Sequence, residues 1–293
     1  MSQIRIAIVG LDTSHVEAFA KILHDVKNPH HVPGGRIVAA FPGGSADFDL
    51  SRNRVAGYTA QLRDEFGVKI FDTPEEAVEQ ADAVLLESVD GRVHWSQFER
   101  IAHCSKPVFI DKPFAVNVAD AEAIVAKAKE RQIPLMSSSS LRFSEGFQKA
   151  LQAQGEGKLI GADFFGPMAI ESTQPGFFWY GIHIAEMLVA ALGGDFKKVY
   201  VCNNIDHDLL LVETSDGRIG TLRGNRKGNQ RFGGVLHREK ASAFVDVYAD
   251  QKPYYANLLE AVLSFFRTGV SPVPIEETLA IVRLLEAANA LRQ

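Results

Sequence analysis

The chain has 293 residues, 46% of them hydrophobic, and a formal net charge of −5. That length suits two domains with a substantial core, and the slightly acidic balance excludes the basic footprint of a nucleic-acid binder. No apolar run reaches the ~20 residues of a membrane span, and the two cysteines, Cys104 and Cys202, have neither a disulfide framework nor metal-ligand spacing.

The first half alternates strand and helix. Ile4-Arg5-Ile6-Ala7-Ile8-Val9 reads as a buried strand with no basic lead-in or cleavage site before it, which with the cysteine usage leads to the expectation of a cytoplasmic protein. Gly10-Leu11-Asp12-Thr13 turns the chain. Ser14, with Glu17 three residues on, predicts a capping box, and Val16, Phe19, Ala20 and Leu23 give the helix behind it an apolar stripe. Residues 37–41 form the second strand. Helix is expected over 54–66, ending at Gly67, and a short one opens at Thr73-Pro74-Glu75-Glu76. Strand follows at 83–86, helix at 92–103, strand at 108–110, and a long helix from Asn117 to about residue 131. Alternation of this kind means a parallel sheet wound by right-handed crossovers, whose first strand–turn–helix is the phosphate loop of a dinucleotide-binding fold.

The second half has another rhythm. Leu135-Met136-Ser137 closes the first sheet, and residues 144–154 read as helix. Strand-like runs follow at 160–165, 199–202, 209–214, 219–223, 234–237 and 243–248, with Asp216-Gly217 as a hairpin turn. Helices at 254–266 and 275–291 end the chain. The expected architecture is α/β: an N-terminal doubly wound parallel sheet over residues 1–120, then an α+β domain over 121–293 with an open, largely antiparallel sheet. The last helix is expected to pack back on the first domain.

Two stretches carry candidate chemistry. Val108-Phe109-Ile110-Asp111-Lys112-Pro113 sets an acid and a lysine where a buried parallel strand ends, the place where ligands collect in open α/β sheets. An ordinary loop pair is the other reading. From Ile182 to Leu192 every residue is apolar except His183 and Glu186, spaced i, i+3 on one helical face. A satisfied core pair and an imidazole general acid/base oriented by a carboxylate both meet that pattern. His24, His30 and His31 lack a carboxylate or thiolate framework, so no metal site is expected. The cationic run Arg223, Arg226, Lys227 and Arg231 reads as a solvated loop.

In these residues the chain resembles the Gfo/Idh/MocA oxidoreductases, the family of glucose–fructose oxidoreductase and inositol dehydrogenase. Asp111-Lys112-Pro113 is similar to the family's Glu-Lys-Pro, and Ser88-Val89-Asp90 followed by His94 to its Thr-Pro-Asn and downstream His. Arg142-Phe143 matches the Arg-Phe opening the second domain, and Gly181-x-His183 the Gly-x-His of the catalytic helix. The resemblance implies hydride transfer between NAD or NADP and a sugar- or polyol-like alcohol. It makes Lys112, His183 and Glu186 catalytic. It places Gly10, Asp12, Thr13, Ser14, His15, Ser88, Asp90, His94, Asp111 and Lys112 at the cofactor, and Arg142, Trp179, Tyr180 and His183 at the substrate. It also implies a homodimer or homotetramer through the C-terminal sheet.

The chain departs from the family on the cofactor side. The phosphate loop is shortened and keeps one glycine, Asp12 brings a negative charge, and Phe41-Pro42-Gly43-Gly44-Ser45 has no ribose-binding acid. Gly43, Gly44, Ser45 and Arg52 read as a plain turn or as a receptor for a 2′-phosphate. Two further functions therefore stay open. One is a cofactor-free or regulatory sugar-binding homologue; the other is a non-redox enzyme using bound NAD for transient oxidation.

Overall fold

The computed structural model describes residues 3–292 and divides into two compact units. The first comprises the chain up to Ala115, Ala119–Ser138 and Tyr255–Ile275; the second comprises Val116–Val118, Ser139–Tyr254 and the chain from Glu276. The first unit thus runs to Ser138 rather than to residue 120.

Six parallel strands form the first sheet: β1 (Ile4–Val9), β2 (Gly35–Phe41), β3 (Lys69–Ile70), β4 (Ala83–Leu86), β5 (Val108–Ile110) and β6 (Leu135–Ser137), in the order β3-β2-β1-β4-β5-β6. β4 and β5 are buried at every position, which is why they read as unbroken apolar runs. The crossovers carry α1 (His15–His24), α2 (Asp49–Phe66), α3 (Pro74–Glu79), α4 (His94–Ile101) and α5 (Val118–Glu130). Thr73 caps α3, accepting from the Glu76 amide, and Gly67 ends α2 in the left-handed region at φ 67°. The expected capping box at α1 does not form: Ser14 makes no side-chain cap, and Glu17 pairs instead with Lys21 one turn on. α2 starts five residues before the predicted boundary. Its first turns are polar and bury only Ser51, so no apolar periodicity marks them.

The second unit is built on β7 (Leu159–Pro167), β8 (Phe196–Asn203), β9 (His207–Thr214), β10 (Ile219–Asn225), β11 (Gly233–Arg238) and β12 (Ser242–Asp246), ordered β12-β11-β7-β10-β9-β8. All neighbours are antiparallel except β7 and β10. α6 (Glu145–Leu151), α7 (Gly181–Leu192) and α9 (Ile275–Leu291) complete it. Gly220 lets α7 approach the sheet: a Cβ there would lie 2.5 Å from the Leu192 side chain and 2.7 Å from that of Leu188.

It is α8 (Tyr254–Thr268), not the last helix, that joins the first unit, with Leu263 packed on Gly35. α9 belongs to the second unit, where Asn289 accepts from the Phe177 amide. Among the described residues, no helix is long and apolar enough to cross a membrane.

One stability effect arises from α1. His24 accepts a hydrogen bond at Nε2 from the Ile37 amide, 3.0 Å away, and its ring lies edge-on to Phe66. Burial, with a smaller contribution from Arg36, pulls its pKa from 6.5 down to about 4. The unfolded chain therefore binds one more proton between those values. The contribution is fully present above about pH 6.5, is lost as pH falls through about 4, and is flat below. The partly exposed ring limits its size to about 1 kcal/mol. Urea unfolding at pH 7 and pH 4.5 should show a smaller pH-dependent loss in His24→Gln than in wild type; equal losses would contradict this account.

Candidate functional site

In the first unit the candidate residues gather at the carboxyl ends of β1, β4 and β5, which the strand order sets side by side. β5 ends at Asp111, 1% exposed, and Lys112, joined to Pro113 by a cis peptide. His94 at the start of α4 ties two of the turns together. Its Nε2 meets the Ser88 carbonyl at 2.8 Å and its Nδ1 the Phe114 carbonyl at 3.2 Å. Fully buried, it positions the turn carrying Lys112.

After β1 the chain turns through Gly10 at φ 93°. A Cβ there would lie 2.3 Å from Ser88 Oγ and 2.4 Å from Ser88 N, so the tight neighbour is the end of β4. Asp12 is fully buried. Its Oδ1 accepts from the Val89 amide at 2.9 Å and its Oδ2 from Ser51 Oγ at 2.6 Å. Burial raises its pKa, against those hydrogen bonds. The carboxylate stitches the loop to α2 and to the segment after β4. Ser14 at the start of α1 is exposed and leaves its hydroxyl out of the cap. The His15 and Val16 amides donate to Thr13, to its Oγ1 and carbonyl respectively, so the exposed Ser14 is the polar group this terminus offers.

Ser88 donates to Gln97 at 2.8 Å, and Asp90 accepts from Ser45 at 2.6 Å and from Arg92. Both are fully buried and hold the strand-end loops. Arg52 on α2 donates to the Ala46 carbonyl and to Asp49, and both charged side chains are exposed.

His15 and Asp111 form a cluster with a residue that sequence reading missed. His15 Nδ1 stands 3.1 Å from Asp111 Oδ2 and 3.4 Å from Glu87 Oε2, and Lys112 Nζ lies 3.4 Å from the same Asp111 oxygen. Burial pulls the His15 pKa down, but Asp111 and then Glu87 outweigh it and lift it to about 9. Burial, with the Asp111 charge, pushes Glu87 up. His15 and Lys112 hold Asp111 low in spite of its burial. An acid ending the apolar run of β4 was the available signal for Glu87.

In the second unit, α7 carries His183 and Glu186 as expected. His183 Nδ1 pairs with Ser139 Oγ at 2.7 Å, and its ring lies edge-on to Tyr180 and Phe232. Trp179 in turn meets the ring of Tyr180. Glu186, 3% exposed, accepts from Arg142 Nε at 2.6 Å, and the same guanidinium pairs with Glu277 on α9 at 2.8 Å. Arg142 is buried between the two carboxylates.

The strand order and the strand-end turn define a Rossmann-type nucleotide-binding unit, followed in the chain by an α+β unit. Residues 4–139 match the sequence model of the oxidoreductase family with an NAD-binding Rossmann fold, GFO_IDH_MocA. Over that segment, a little under half of the chain, the sequence is similar to the Gfo/Idh/MocA oxidoreductases. The myo-inositol 2-dehydrogenase of Thermotoga maritima is 28% identical over 102 residues, which are 34% of this chain and 30% of the relative. The D-apiose dehydrogenase of Paraburkholderia graminis is 30% identical over 145 residues, 48% of this chain and 35% of the relative. The chain thus spans about a third of the length of these curated relatives. The crystal structure of a scyllo-inositol dehydrogenase from Lactobacillus casei matches with a TM-score of 0.79 over 99% of this chain and 96% of its own. At 16% identity that likeness is one of fold.

Proposed function

We propose that this chain transfers a hydride between NAD or NADP and a secondary alcohol of a sugar or polyol. The observation that carries the reading is Lys112, a cation at the carboxyl end of a central parallel strand in a family segment described as NAD-binding. When bound, the nicotinamide supplies the hydride acceptor or donor. The exposed Ser14 at the start of α1 would hold a phosphate of the dinucleotide. Lys112 hydrogen-bonds the substrate oxygen and stabilises its developing alkoxide charge. His183 takes the hydroxyl proton, and its contact with Ser139 fixes the ring. Trp179, Tyr180 and Arg142 are the substrate-side residues in this reading, flat aromatic faces suiting sugar C–H surfaces.

The shortened loop and the missing ribose acid favour a second reading, a sugar-binding homologue without redox chemistry. Calorimetric titration with NAD, NADH, NADP and NADPH separates the two. Micromolar binding of one pair is the expected result. Silence with all four would sink the redox reading. NAD retained through purification, with no net oxidation of any alcohol, would replace it by transient oxidation.

A homodimer or homotetramer through the second sheet completes the proposal. The strand registers set Phe165, Tyr200, Leu209, Leu211, Val235 and Phe244 on one face of that sheet; Phe244 is 65% and Tyr200 54% exposed. Asp163, Arg223, His237, Lys198 and Glu213 share that face, and a mixed surface with exposed aromatic residues suits a second copy of the chain. Sedimentation at micromolar concentration should give a dimer or tetramer mass that Leu211→Asp lowers; a wild-type monomer would refute it.

A further inference from the structure

Five buried side-chain atoms without a hydrogen bond lie together in the first unit: His15 Nδ1, both carboxylate oxygens of Glu87 and both of Asp111. The three side chains are 5%, 0% and 1% exposed, and each offers one ligand atom within 4.8 Å of the others. Buried carboxylates without hydrogen bonds are costly, and native proteins satisfy such groups with a partner. Lys112 supplies one positive charge, at 3.4 Å from Asp111 and with no well-aligned hydrogen bond. Glu87 still lacks a hydrogen-bond partner for either oxygen.

A proton on His15 is one candidate for it. A charge-assisted N–H···O bond, however, is in line and about 2.7–2.9 Å long. Here Nδ1 stands 3.1 and 3.4 Å from two different carboxylates, and is aligned with neither. Those separations also match two edges of a coordination shell, and the three ligand atoms lie within 4.8 Å of one another. With metal–ligand bonds of about 2.1 Å, ligand atoms stand about 3.0 Å apart in an octahedron and about 3.4 Å apart in a tetrahedron. The ring is also held in one orientation, stacked on Phe19 at 5.2 Å and edge-on to Tyr255 at 5.0 Å. Side chains fixed by their surroundings are what a metal site requires.

We propose that His15, Glu87 and Asp111 bind a divalent transition-metal cation of the zinc or manganese type. One imidazole nitrogen and two carboxylates suit those ions. Calcium takes six to eight oxygens, and magnesium keeps several waters and dehydrates reluctantly. No sequence spacing marks the site, because its ligands lie on three separate segments. The ion would join the segments that follow β1, β4 and β5.

The full-length protein, stripped with EDTA and kept free of nucleotide, is titrated calorimetrically with Zn²⁺, Mn²⁺, Mg²⁺ and Ca²⁺. One equivalent of Zn²⁺ or Mn²⁺ should bind at least 100-fold more tightly than Mg²⁺ or Ca²⁺, and the melting temperature should rise with it. Glu87→Gln and His15→Gln should each weaken binding at least 100-fold, while Glu17→Gln on the surface of α1 leaves it unchanged. Should either site variant fail to fold, electron-spin-echo spectroscopy of Mn²⁺ on the wild-type protein must show coupling to one imidazole nitrogen. Absence of stoichiometric binding, affinity undiminished in both variants, or an ion without nitrogen coupling would each overturn the proposal.

Discussion

Lys112→Ala is expected to lower kcat/KM by about 10³-fold on the sugar or polyol that proves to be oxidised, and His183→Ala by about 10²–10⁴-fold. The two losses have different origins. Lys112 ends a strand whose three residues are buried, and its own side chain is 14% exposed. A cation so placed is worth most once the substrate oxygen carries charge, so its loss falls on kcat. His183 is held through Nδ1 by Ser139, so in the proposed reaction Nε2 is the atom that takes the proton. Ser139→Ala should therefore reproduce part of the His183→Ala defect while leaving nucleotide affinity unchanged. Because the proposed roles act on one oxygen, the double variant should lose much less than the product of the single losses. Wild-type turnover in both single variants, on a substrate found by screening polyols, would show the roles to be wrongly assigned.

Arg142→Met should destabilise the protein by about 3–5 kcal/mol. The guanidinium lies between Glu186 and Glu277, and Glu186 is 3% exposed. Removing the cation leaves a buried carboxylate without its main counter-charge, and that desolvation cost exceeds what the pair itself contributes. Adding Glu186→Gln to Arg142→Met should then recover some of the stability, because the amide carries no charge to bury. Urea unfolding of wild type, both single variants and the double variant measures the coupling. An unchanged midpoint in Arg142→Met, or a double variant less stable than Arg142→Met alone, would exclude this role. The prediction also bears on α7. Glu186 is held by Arg142 and His183 by Ser139. The i, i+3 spacing that suggested a partnership between His183 and Glu186 thus partly reflects polar groups that each find a separate partner.

The strands of both sheets were legible, except the two-residue β3, because burial writes itself into local composition. β1, β4 and β5 are apolar runs, and the Asp216-Gly217 turn joins two antiparallel strands as expected. Helix ends were less legible. The first turns of α2 face solvent, and Ser14 matches a capping pattern that the backbone does not use. Lys112 and His183 were found because each stands in an apolar run with few other polar residues.

The sequence by itself determined the winding of the first unit, the strand content of the second and the family model that residues 4–139 match. Only the tertiary structure decided that Asp12 turns inward, that Arg142 is shared by two carboxylates, and that His15, Glu87 and Asp111 meet. The physical reason is one of range. Alternation and burial are local properties carried by neighbouring residues. The meeting of charges from three strand ends depends on β1, β4 and β5 lying side by side in a sheet, and no spacing along the chain encodes that adjacency.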